Sequence, residues 1–168
     1  MKLKLITLVI PAVLALSACT NPNRFDNGAG GAGTFSSVTP GSAQDPQSPL
    51  YFKETIGDRV LFDVDQSSLN DEARRVLDGQ ASWLTTNADY AVVIEGHADE
   101  QGTREYNLAL GARRANAVKE YLLAKGMPSS RLKTVSYGKE RPLEICSQEA
   151  CYSKNRRAVT ILSSGLSS

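Results

Sequence analysis

The first apolar block of the chain differs from all the others. Lys2 and Lys4 precede a predominantly apolar run from Leu5 to Leu16, and small residues then lead into Cys19. A bilayer-spanning helix needs ~20 apolar residues, so this run is too short to span and reads as a secretion signal over residues 1–18. From Thr20 to about Pro49 apolar periodicity vanishes, and Gly, Ser, Asn, Pro, Ala and Thr dominate, as in Gly28-Ala29-Gly30-Gly31-Ala32-Gly33. Such a segment buries too little surface to offset its ordering entropy, so residues 19–52 are expected to be Cys19 followed by a flexible tether. A tether of this length has a root-mean-square span of roughly 30 Å and stretches to roughly 100 Å.

Beyond it, residues 53–168 show alternating strand and helix periods and form one domain. Arg59 to Val64 reads as a short strand. Ser67 or Asn70 then caps a helix running to about Thr86, which buries Ala73, Val76, Leu77, Ala81 and Leu84. Ala91 to Glu95 is a compact β-branched strand. Thr103 caps the longest helix, whose stop signal is Lys125-Gly126 with Pro128 just beyond. The stripe Leu108, Ala112, Ala115, Val118 and Leu122 supplies its core face. Leu132 to Tyr137 and Ala158 to Leu162 are the last strands. The order β-α-β-α-β-loop-β predicts a two-layer α/β (α+β) sandwich with helices packed on one mixed sheet.

Charge adds little direction. Lys and Arg total 19 against 18 Asp and Glu, with no basic block, so nucleic acid is not an expected partner. Cys146 and Cys151 are a close pair that can close a disulfide in an oxidising compartment, worth ~2 kcal/mol, or remain two free thiols in a surface loop. His97 is the only histidine and lies far from both in sequence, so no metal site or other cofactor is expected. A catalytic dyad through His97 lacks a nucleophile-elbow motif. Asp63 and Asp99 could in principle form a glycosidase pair. The chain nevertheless reads as a binder and not an enzyme, with His97 packing at a strand end to fix the following loop.

The candidate chemistry sits where a strand hands over to a helix, Glu95 to Thr103, because free backbone N–H groups and the helix dipole face such a loop. On the long helix Asn107 and Arg114 stack on one side, two turns apart. An acidic loop residue, Asp99, opposite a helix arginine suits a ligand carrying both an ammonium and a carboxylate. The same spacing also fits a turn aspartate and an ordinary surface arginine.

The wording of four blocks narrows this. Ile94-Glu95-Gly96-His97-Ala98-Asp99-Glu100, Tyr106 to Val118, Thr134 to Pro142, and Lys154-Asn155-Arg156-Arg157-Ala158-Val159 closely resemble the OmpA-like peptidoglycan-binding domain, from about Thr55 to Leu162. Within that family the resemblance is to its lipid-anchored Tol-system branch. It implies non-covalent binding of the peptidoglycan stem peptide through diaminopimelate. Asp99 would engage that residue's polar groups and Arg114 its carboxylate. Phe62 and Asp63 would line the pocket, and Asn107, Asn155 and Arg156 would support it. On this reading, Asp99→Ala or Arg114→Ala abolishes binding without unfolding the domain. The family often has an arginine where this chain has Gln101, which removes one auxiliary cationic contact from the expectation.

The resemblance also implies TolB and the periplasmic part of TolA as partners, and outer-membrane integrity and invagination at division as the role. A pure protein-interaction module acting through those Tol proteins is the rival reading. Leu16-Ser17-Ala18-Cys19 likewise resembles the bacterial lipobox, in which the cysteine thiol is acylated. The alternative is an ordinary A-x-A cleavage site with Cys19 incidental. Thr20, in place of an inner-membrane-retaining aspartate, implies anchoring in outer-membrane lipid with the domain facing the periplasm. Neither barrel strands nor a full-length membrane helix precedes the domain, which disfavours the family's porin and flagellar-stator members.

Overall fold

The computed structural model describes residues 38–164, so the apolar run, Cys19 and most of the tether lie outside them. In chain order the elements are a short α1 (Pro49–Tyr51) continuing as one π-helical turn (Phe52–Gly57), β1 (Arg59–Leu61), α2 (Asp71–Thr86), β2 (Tyr90–His97), α3 (Arg104–Ala124), β3 (Leu132–Gly138), α4 (Glu149–Asn155) and β4 (Arg157–Ser164). The four strands form one sheet in the order β1-β4-β2-β3. β4 runs antiparallel to both its neighbours, whereas β2 and β3 are parallel, which makes the sheet mixed as expected.

Alternation along the two inner strands defines the core face. Val92 and Ile94 of β2, with Ala158 of β4, point into a cluster with Leu77, Leu84, Val118 and Leu122. A buried polar pair fixes α2 on this face: Thr160 Oγ1 donates to Gln80 Oε1 at 2.8 Å, and Gln80 Nε2 donates to the Gly57 carbonyl at 2.7 Å. Both partners are satisfied, so the desolvation cost of burying them is offset.

The tightest contact lies between β2 and α3. A Cβ on Gly96 would collide with the Gly111 carbonyl, and one on Gly111 would lie 2.8 Å from the Gly96 oxygen. Only glycine at both positions lets helix and strand backbones touch. α3 is therefore pressed onto the end of β2, and the residues one turn either side of Gly111 are held over the loop that follows.

Several local expectations differ from what the chain adopts. The first strand stops at Leu61, because the chain turns back with Gln66 N–H on the Asp63 carbonyl (3.1 Å) and Asp65 at φ 57°. Asn70, not Ser67, caps α2, its side chain accepting from Ala73 N–H at 2.8 Å. Leu108 and Ala112 are exposed, and the buried side of α3 is Asn107, Leu110, Gly111, Arg114, Ala115, Val118 and Leu122. The segment read as a plain loop before the last strand contains α4 and a Cys146–Cys151 disulfide with Cα atoms 5.9 Å apart. Ordered packing also begins before residue 53. Trp83 Nε1 donates to the Pro46 carbonyl at 2.7 Å, Ser48 is buried, and the Phe52 ring packs at a tilt against Trp83 with centroids 4.9 Å apart.

Gly96→Ala and Gly111→Ala are each expected to cost on the order of 3 kcal/mol in urea unfolding, since backbone rather than a flexible side chain must yield. Gly79→Ala, mid-helix and 3.3 Å from an Ile56 methyl, should stay within about 1 kcal/mol of wild type.

Candidate functional site

Arg114 is the most unusual residue in the core: a guanidinium with 0% exposure. Its Nε donates to the Gln66 carbonyl (2.8 Å), Nη1 to the His97 carbonyl (2.9 Å) and Nη2 to the Asp63 carbonyl (3.2 Å). The Phe62 ring lies 5.2 Å from its carbon, within cation–π range. These bonds take three of the five N–H groups that a guanidinium carries. Burial lowers its pKa to about 10, opposed by the nearby Asp99 carboxylate, so it stays cationic at neutral pH.

Asp99 sits in the loop after β2, 8% exposed. Its Oδ1 accepts from Gln101 N–H at 3.2 Å and its Oδ2 from Arg156 Nη1 at 3.2 Å. The loop is held from outside by Lys139, whose Nζ donates to the Gly102 carbonyl at 2.8 Å. It enters α3 through the Thr103 cap, whose hydroxyl accepts from Tyr106 N–H. Asn107 Nδ2 donates to the Gln101 carbonyl at 2.7 Å, while its buried Oδ1 has no partner.

These groups border a pocket of about 290 Å³. Val64 and Leu110 form its apolar side; Asp65, Asp99, Gln101, Tyr106 and Asn107 form its polar side. The predicted residues are thus sorted by position. Asp99 and Asn107 reach the pocket wall, while Phe62 and Arg114 are buried outside its lining, in cation–π contact with each other. Asp63 offers its carbonyl to Arg114 and leaves its own side chain exposed. Arg156 stands behind Asp99 and also donates Nε to the Phe62 carbonyl at 3.1 Å. Asn155 belongs elsewhere: its buried amide accepts from Leu143 and Glu144 N–H and donates to the Glu144 carbonyl.

On the polar side of the pocket Asp65 and Tyr106 were missed in the sequence, as were Val64 and Leu110 on its apolar side. Asp65, at φ 57°, accepts a hydrogen bond from the Tyr106 hydroxyl at the pocket wall. Alternating carboxylates at Asp63 and Asp65, and an aromatic beside Asn107, were the available signals.

The OmpA family matches residues 61–156, more than half of the chain. A peptidoglycan-associated lipoprotein of Mesorhizobium japonicum is 52% identical over 162 residues, covering 94% of this chain and 91% of that protein. The chain belongs to the OmpA family, among its peptidoglycan-associated lipoproteins. The Agrobacterium fabrum peptidoglycan-associated lipoprotein is 49% identical over 157 residues, covering 92% of this chain and 85% of the relative. The crystal structure of the Burkholderia pseudomallei peptidoglycan-associated lipoprotein superposes with a TM-score of 0.64 at 37% identity, covering 72% of this chain and 98% of that one. The OmpA-like mixed sheet and helices are therefore the fold of this chain, and the family is non-enzymatic.

His97 fits such a scaffold as a packing residue. It is 2% exposed, its ring lies 5.7 Å from Tyr137, and neither ring nitrogen has a hydrogen-bond partner. Glu95 Oε2, at 3.6 Å from Nε2, is too far to accept. Burial, then the charges of Arg157 and Arg141, lower its pKa from 6.5 to about 4. The folded protein therefore keeps His97 neutral while the unfolded chain takes up a proton below pH 6.5, so its stabilising contribution is complete above 6.5 and is lost as pH falls toward 4. Unfolding free energy should drop by about 2 kcal/mol more between pH 7 and pH 5 in wild type than in His97→Asn. Equal pH slopes for the two proteins would contradict a neutral buried imidazole.

Proposed function

We propose that the domain grips the diaminopimelate-bearing stem peptide of peptidoglycan without turnover and so fastens the outer membrane to the wall. The carrying observation is the Asp99 carboxylate on the wall of a pocket of about 290 Å³, near enough to the buried cation Arg114 to favour its charged form. A ligand ammonium meets a matching acceptor in Asp99, and Arg114, buried behind the pocket lining, supplies the positive potential that favours a ligand carboxylate nearby. The Asn107 Oδ1, buried and without a partner, offers a further acceptor for a ligand N–H. Low exposure strengthens each of these contacts relative to water.

The names of the relatives support the reading, since they are peptidoglycan-associated lipoproteins. On this proposal Cys19 is acylated, and two or more acyl chains hold it stably in outer-membrane lipid. The domain faces the periplasm, with TolB and the periplasmic part of TolA as protein partners and envelope integrity at division as the outcome.

The geometry changes the expectation for Arg114→Ala. Removing this guanidinium strands three carbonyls, that of His97 fully buried, so that variant should lose about 3 kcal/mol of stability or more along with binding. Asp99→Asn is the cleaner test. The full-length protein in detergent should co-sediment with sacculi of diaminopimelate type but not of lysine type. Asp99→Asn should weaken that binding at least about tenfold while its thermal midpoint stays near wild type. Equal binding to both wall types, or full retention by a folded Asp99→Asn protein, would overturn the clamp.

A further inference from the structure

Asp99 faces more positive charge than one carboxylate can serve. Arg114 lies beneath it and Arg156, 4% exposed, lies behind it. An incoming ammonium would compete with Arg156 for Asp99 Oδ2, while Arg114, bonded to three carbonyls, adds positive potential nearby. Arg156, however, has a second counter-ion. Glu149 meets it end-on, with Nη2 donating to Oε1 and Nη1 to Oε2 at 3.3 Å, while the same Nη1 reaches Asp99 Oδ2 at 3.2 Å. The two carboxylates thus share one guanidinium, and Glu149 takes the larger part of it.

The placement of Glu149 is itself constructed. It opens α4, a helix of only seven residues, too short to persist without tertiary support. The Cys146–Cys151 disulfide brackets it, and the buried Asn155 amide ties the far end of the helix to Leu143 and Glu144. The Glu149 carboxyl is held below its usual range by Arg156, so it carries full charge at neutral pH.

We infer that Glu149 is a positioning residue for ligand binding: by serving as the counter-ion of Arg156, it leaves the Asp99 carboxylate available to an ammonium-bearing ligand. The inference rests on the wall-binding reading above. It assigns a purpose to α4 and its disulfide, which lie outside the pocket lining.

The test is a double-mutant cycle on the full-length protein in detergent, titrated calorimetrically with a soluble disaccharide-tripeptide muropeptide containing diaminopimelate. Glu149→Gln should weaken binding about tenfold in the wild-type background. In an Asp99→Asn background the same change should alter binding by about twofold or less, since Glu149 acts through that carboxylate. Thermal midpoints report folding throughout. The same loss in both backgrounds would make Glu149 merely structural and overturn the inference, as would wild-type affinity in Glu149→Gln. Absence of binding by the unsubstituted protein would instead overturn the wall-binding reading itself, in an arm that leaves Glu149 untouched.

Discussion

Everything near the pocket depends on burying one guanidinium. An isolated charge in a protein interior costs several kcal/mol at least, so Arg114 is tolerable only because three carbonyls accept from it. Those carbonyls come from the turn after β1, at Asp63 and Gln66, and from the end of β2, at His97. A single side chain on α3 therefore fixes three otherwise separate segments. The glycine contact between Gly96 and Gly111 makes this reach achievable, because it seats α3 directly on β2. Stability and site geometry are thus one requirement here: loosening the helix moves the cation, and deleting the cation releases the loops.

Charge is then layered outward from that centre. Asp99 answers Arg114, Arg156 stands behind Asp99, and Glu149 answers Arg156 from a helix held by a disulfide. On the proposed function, this alternation is what receives a zwitterionic ligand, its ammonium beside Asp99 and its carboxylate in the positive potential of the buried arginines. The neutral His97 beneath the loop adds packing without adding to the local positive charge. The family to which the chain belongs is non-enzymatic.

What the sequence made legible were the features encoded locally. Thr103 and Gly126 bound α3 through cap and stop chemistry that needs no tertiary context, and the β-branched run at Val92 marks its strand. The inward face of α3 was misread for a physical reason. Asn107 and Arg114 occupy core-side positions while Leu108 faces solvent, so the hydrophobic stripe that periodicity seeks is partly replaced by polar groups that only the fold can satisfy. Asp99 and Arg114 stood out through the family resemblance more than through spacing. α4 left no periodic trace because a disulfide and the Asn155 amide hold it instead of an apolar stripe. The tether boundary was obscured in the same way, since Ser48 and Phe52 look like linker residues until the Ser48 hydroxyl is bonded to the Ser42 carbonyl and Phe52 is packed on Trp83.

The most direct measurement is side-chain nuclear magnetic resonance of the arginine Nε–H groups during titration with a diaminopimelate-containing muropeptide. Arg114 Nε–H, held on the Gln66 carbonyl, should give a signal protected from solvent exchange in the free protein. On titration that signal should shift and saturate along the same curve as the backbone amides of Asp99 and Gln101. Saturable binding that leaves the Arg114 signal unmoved would contradict the account, because the ligand would then be held without the buried cation at its centre.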